Sequence, residues 1–252
     1  MFSSGNPALQ PSQFESQLRF ATPSSVMTVN GAVVKTAILT GLLAVTGVVS
    51  FGLCHPENGT ASQGLKFGMI IGGLIGSLVC GLSLFFSQRI APFVAPVYAV
   101  CEGMLLGAIA GFYENRFHGI IPQAVLLTVG LLGVMLLAYS TGVIRATPFV
   151  AKMIVLSTGA ICLTYLISMV SGLLGYPIPY IHSNGPIGIG FSAVVVGIAA
   201  FNFILDFDMI ESGAKAQSPK YMEWYAAYGL LVTLAWLYLE VLRLLAKIRS
   251  ND

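Results

Sequence analysis

Apolar runs of nearly constant length alternate with short polar breaks along this chain. A helix needs about 20 mostly apolar residues to cross roughly 30 Å of hydrocarbon, and seven stretches reach that length. The pattern predicts helices over about Val33 to Cys54, Leu65 to Phe86, Pro92 to Tyr113, Pro122 to Ile144, Phe149 to Leu174, Gly188 to Ile210 and Tyr221 to Leu245. The breaks carry turn formers and charges: His55-Pro56-Glu57-Asn58-Gly59, Gln88-Arg89, Glu114-Asn115-Arg116, Arg145-Ala146-Thr147-Pro148 and Tyr176-Pro177-Ile178-Pro179. The expected fold is therefore all-α, a polytopic membrane protein with a bundle of about seven transmembrane helices. Residues 1–30 lack an apolar run and are expected to form a polar tail, with residues 31–252 as a single transmembrane domain. Without a hydrophobic segment in that tail there is no cleaved signal peptide to expect, and the first helix serves as the insertion signal.

Composition strengthens this reading. Hydrophobic residues make up 56% of the 252 positions and charged residues 9%, against about 25% charged in ordinary soluble domains. A soluble globule of this size cannot hide so much apolar surface, so lipid must solvate the surplus. The net charge of +2 comes without the basic stripe that nucleic-acid binding requires. None of Cys54, Cys80, Cys101 and Cys162 shows zinc or CxxC spacing.

Glycine and basic residues refine the picture. Gly68, Gly72 and Gly76 recur at four-residue spacing, as do Gly103, Gly107 and Gly111. Such bare faces let helices approach closely in lipid, which predicts tight packing between the second and third helices. Arg19, Lys35, Arg89, Arg145, Lys152, Lys215 and Lys220 fall on the N-terminal side, while Lys66, Arg116, Arg243, Lys247 and Arg249 fall on the other. Setting aside the final basic cluster, the bias favours a cytoplasmic N-terminus.

An ionisable group inside a span costs about 2.5–3.5 kcal/mol on insertion scales and marks a functional candidate. Glu102 lies near the middle of the third helix, Asp206 and Asp208 in the final turns of the sixth, and Glu240 in the last third of the seventh. Asn202 and Asp206 share a helical face. With no basic neighbour in sequence, that face needs a partner from another helix, water or an ion. Asp208 points nearly the opposite way and continues into Glu211 and Lys215, a solvated helix end. Thr233, Trp236 and Glu240 form one stripe, and Arg243 pairs with Glu240, which reads as a snorkelling residue or a ligand. Glu211, Lys215, Lys220 and Glu223 lie nearer the surface.

Other chemistries lack their residues. His55, His118 and His182 are isolated in loops, which argues against a zinc hydrolase, and no lysine lies deep enough in a span to hold retinal. No catalytic grouping or phosphate loop appears, so the chain reads as a non-enzyme without a cofactor. A set of intramembrane oxygens suits a hard cation or a proton. Burial disfavours the charged form of a carboxylate, and two close enough to interact titrate as a pair. The alternative role for such groups is interhelical glue.

The C-terminal residues resemble the Bax inhibitor-1-like family. The resemblance rests on Leu205-Asp206-Phe207-Asp208-Met209-Ile210-Glu211-Ser212-Gly213, then Ser218-Pro219, then Leu239-Glu240-Val241-Leu242-Arg243-Leu244-Leu245. Asn6-Pro7-Ala8, Met27-Thr28-Val29 and Pro219-Lys220-Tyr221-Met222-Glu223-Trp224-Tyr225 are similar to a bacterial branch. The resemblance implies a bundle around a central helix, in a bacterial plasma membrane, with a pH-sensitive calcium leak. That leak is controlled by two aspartates on the last two helices and an arginine on the second. Asp206 matches the first aspartate and would contact calcium. Counting to Arg243, the second position falls on Thr233, which is not acidic, and the second helix has no arginine. Glu102, Asp208 and Glu240 are the candidates to substitute. The expected function is thus a cation leak channel or transporter, with calcium or protons as the transported species. The alternative is a regulator that binds other membrane proteins.

Overall fold

The structure is a computed structural model that describes residues 26–55, 62–176 and 185–251. Most of the expected tail, including Asn6-Pro7-Ala8 and Arg19, lies outside the described residues. So do Pro56-Glu57-Asn58-Gly59, Pro177-Ile178-Pro179 and His182.

Seven helices span the described chain: α1 (Val29–Cys54), α2 (Gln63–Phe86), α3 (Ala91–Arg116), α4 (Ile120–Ser140), α5 (Pro148–Leu173), α6 (Pro186–Lys215) and α7 (Met222–Arg249). A single 3₁₀ turn, Gln88–Ile90, leads into α3. All seven are long and apolar enough to cross a membrane. Even the shortest, the 21-residue α4, spans about 31 Å at 1.5 Å per residue. The outward faces remain apolar: Val45, Val48, Phe85, Phe86, Leu126, Leu156 and Leu173 are all exposed, as lipid contact requires.

Several helix ends differ from the sequence expectation, each for a local reason. α1 starts at Val29, because the Thr28 hydroxyl caps it by accepting from Gly31 N at 3.0 Å. Residues 29 and 30 thus belong to the helix and not to the tail. α3 includes Glu114-Asn115-Arg116 as its last turn. α4 stops at Ser140, with Gly142 at φ +73° turning the chain, so Val143 and Ile144 are not helical. α6 continues to Lys215 and α7 to Arg249. Asp206 and Asp208 consequently sit about two turns inside α6, well before its final turn.

The buried positions sort the helices into centre and rim. In α5 they are Ile154, Ile161 and Ser168, one narrow stripe; in α2 they are Gly73, Ser77, Cys80 and Leu84, again one face. In α7 they come in adjacent pairs, Ala226-Ala227, Leu230-Leu231 and Val241-Leu242, so more than one face is covered. α7 packs against α1, α3, α4 and α6. The last helix is the central one, and it is also the least apolar of the seven.

The second and third helices pack closely as expected, but the glycine stripes serve that contact only in part. The α3 stripe faces α1. A Cβ on Gly103 would strike Thr46 and the Leu43 carbonyl, one on Gly107 the Gly47 carbonyl, and one on Gly111 the Cys54 side chain. Ser50 Oγ adds a hydrogen bond across this seam, donating to the Met104 carbonyl at 2.8 Å. On α2, Gly73 and Gly76 meet Cys101 of α3, whereas Gly68 and Gly72 face open space. Spacing identified small-residue faces but not which neighbour each one meets.

Candidate functional site

The intramembrane carboxylates occupy three separate settings around α7. Asp206, on α6, faces the Thr233 hydroxyl of α7, its side-chain hydrogen-bonding partner. Its Oδ2 is buried and has no hydrogen-bond partner in the protein. Gly229, one turn before Thr233, lies beside the same carboxylate, where a Cβ would make only an ordinary contact with Oδ1, at 3.9 Å. The α7 position counted from Arg243 therefore does oppose Asp206, although it carries a hydroxyl in place of an acid.

Asn202 shares the face of Asp206 but turns to a different helix. Its Nδ2 donates to Thr158 Oγ1 of α5 at 2.9 Å and to the Ile198 carbonyl at 2.8 Å. The partner for this polar face thus comes from two other helices, one residue each.

Glu102, 7% exposed, lies on the opposite side of α7, with the Ser77 and Tyr98 side chains as hydrogen-bonding partners. Tyr98 in turn packs edge-to-face on Tyr228 of α7, ring centroids 4.8 Å apart. Glu240 is 1% exposed and fully engaged. It accepts from Tyr165 Oη at 3.0 and 3.1 Å, from Trp236 Nε1 at 3.2 Å and from Arg243 Nη1 at 2.8 and 3.0 Å. Arg243 also donates to Tyr165 Oη at 2.6 Å. Glu240 is paired as expected, yet it does not snorkel: the charge that reaches outward is Arg243, whose side chain is 35% exposed.

Asp208 lines a polar cleft of about 540 Å³ at the end of α6, together with Tyr139, Arg145, Glu211 and Lys215. Glu211 accepts from Lys215 Nζ at 2.5 Å and from Tyr139 Oη at 2.7 Å, in the i,i+4 arrangement anticipated for a solvated helix end. Glu102, Asp206 and Glu240 therefore share no partner. Among the described residues no three His, Cys, Asp or Glu side chains gather as a metal-binding group.

Two charged residues escaped the sequence reading. Glu223, assigned near the surface, is 0% exposed. Its carboxylate accepts from Thr28 N at 2.9 Å, Thr28 Oγ1 at 3.0 Å, Lys220 Nζ at 2.9 Å and Lys35 Nζ. With Met27 N donating to the Ser218 carbonyl at 2.7 Å, this cluster binds the start of α1 to the start of α7. The available signal was Lys35, the sole charge in α1, which required an acid from elsewhere. Lys247, assigned to the basic tail, is buried on α7 and donates to the Gly188 carbonyl at 3.0 Å and Ser192 Oγ at 2.9 Å on α6.

Seven spans, the last of them central and carrying the buried Glu223, Glu240 and Lys247, define an integral membrane protein. The family profile described as Bax inhibitor 1 like matches residues 6–250, nearly the whole chain, and the protein belongs to that family. The match takes in every helix. Comparison with curated proteins and with solved structures gives no significant match.

Proposed function

We propose that this protein is a passive, non-enzymatic cation leak of the Bax inhibitor-1-like type, with calcium as the cargo and Asp206 as its pH-sensitive carboxylate. One observation carries the reading: a buried carboxylate oxygen with no protein partner at the α6–α7 interface, opposite the family-equivalent position Thr233. A carboxylate oxygen left without a partner in that setting is costly, and binding a proton or a passing cation relieves the cost. Calcium flux into proteoliposomes across pH 5–8 tests this directly. Flux that responds to pH supports the proposal, and no flux at any pH removes it.

A second reading has its own support. Glu102 and Glu240 are each engaged by local partners, which suits interhelical glue in a regulator that binds other membrane proteins. Recovery of a stoichiometric membrane partner from detergent, together with silent flux assays, would favour it.

A further inference from the structure

The C-terminal ends of α3 and α7 enclose a second cleft, of about 510 Å³, lined by Phe112, Tyr113, Arg116, Phe117, Arg243 and Lys247. The volume is that of an ordinary ligand site, roughly 300–1,000 Å³. Three of these residues are cations and none is an acid. Glu240 offsets one of the charges, on Arg243, and Lys247 is held inward by Gly188 and Ser192 of α6. Arg116 is exposed at the last turn of α3. The three cations thus come from two helices, and Lys247 is tied to a third.

The position of the cleft selects the ligand. Both helices end here after crossing, so the cleft lies at the membrane interface, where Arg, Lys and aromatic residues anchor spans at headgroup level. Phe112, on the wall of the cleft, is itself exposed, which gives an acyl chain an apolar path next to the cations. Arginine and lysine clustered at this level suit a phosphate headgroup, because their N–H donors pair with phosphate oxygens.

We infer that this cleft binds the phosphate headgroup of an anionic phospholipid, with Arg116 and Arg243 on the phosphate and the aromatic side chains against the glycerol and first acyl carbons. The site stands apart from Asp206 and does not depend on whether the chain conducts. It also gives a role to two members of the final basic cluster set aside for orientation, Arg243 and Lys247. Because Arg243 serves both the cleft and Glu240, an occupied cleft bears directly on the Tyr165–Glu240–Arg243 network linking α5 to α7.

The test uses the full chain in phosphatidylcholine vesicles doped with spin-labelled phosphatidylglycerol or spin-labelled phosphatidylcholine. The motionally restricted fraction reports the relative association of each label. The wild type is expected to prefer phosphatidylglycerol, with a preference that falls as salt is raised. Arg116→Gln should lower it about fivefold, the equivalent of about 1 kcal/mol per basic residue near an anionic lipid surface. Arg116→Lys should retain most of it, and Lys152→Gln, at the far end of α5, should leave it unchanged. Equal association of the two labels with the wild type, or an unchanged preference in Arg116→Gln, would overturn the inference. Displacement of the label by millimolar glycerol phosphate would also overturn it, by showing a site for a soluble phosphate.

Discussion

At the scale of single residues, burial and partner count separate side chains that look alike in sequence. Glu223 and Glu211 both sit near lysines, yet Glu223 is buried with four donors while the Glu211–Lys215 pair is exposed. Breaking a buried pair from one side costs about 3–5 kcal/mol; an exposed pair contributes about 0–1 kcal/mol. Glu223→Gln should therefore destabilise the protein by about 3 kcal/mol, and Lys215→Ala by less than about 1 kcal/mol. Unfolding in mixed detergent micelles measures both. Thr233 offers the complementary test. Thr233→Asp places a second carboxylate opposite Asp206, where two acids titrate as a coupled pair. Flux in that variant should respond to pH over a wider range than in the wild type, and an unchanged profile would separate Thr233 from the site.

At the scale of helices, the pattern of apolar runs located all seven elements, and periodicity put Asn202 and Asp206 on one face. Periodicity could not reveal that Asn202 meets α5 while Asp206 meets α7, because a helical face does not identify its neighbour. The same limit applies to glycine: the α3 stripe meets α1, and Gly68 and Gly72 meet nothing. Glu223 was misplaced for a related reason. An acid in the first turn of a helix is stabilised there by the helix dipole even when exposed, so its type and position gave no sign of burial. Gly107→Ala forces a methyl into the Gly47 carbonyl of α1 and should cost about 1–3 kcal/mol. Gly72→Ala, with open space before it, should be neutral. Thermal unfolding of the two variants in one detergent distinguishes them.

At the scale of the whole molecule, α7 is buried although it carries Glu223, Thr233, Glu240 and Lys247. In lipid such residues are tolerable only where protein surrounds them, which is why the last helix occupies the centre. The starts of α1 and α7 lie together through Glu223, as seven alternating crossings require. Reporter fusions at the two ends should therefore read opposite sides of the membrane, with the N-terminus in the cytoplasm as the charge bias favours. Two ends on the same side would contradict the seven-span topology. The central claim concerns Asp206, and its most direct test is calcium flux in proteoliposomes for the wild type and Asp206→Asn across pH 5–8. The account predicts a pH-dependent leak in the wild type and a flat profile in the variant. An Asp206→Asn protein with the wild-type pH profile would contradict it.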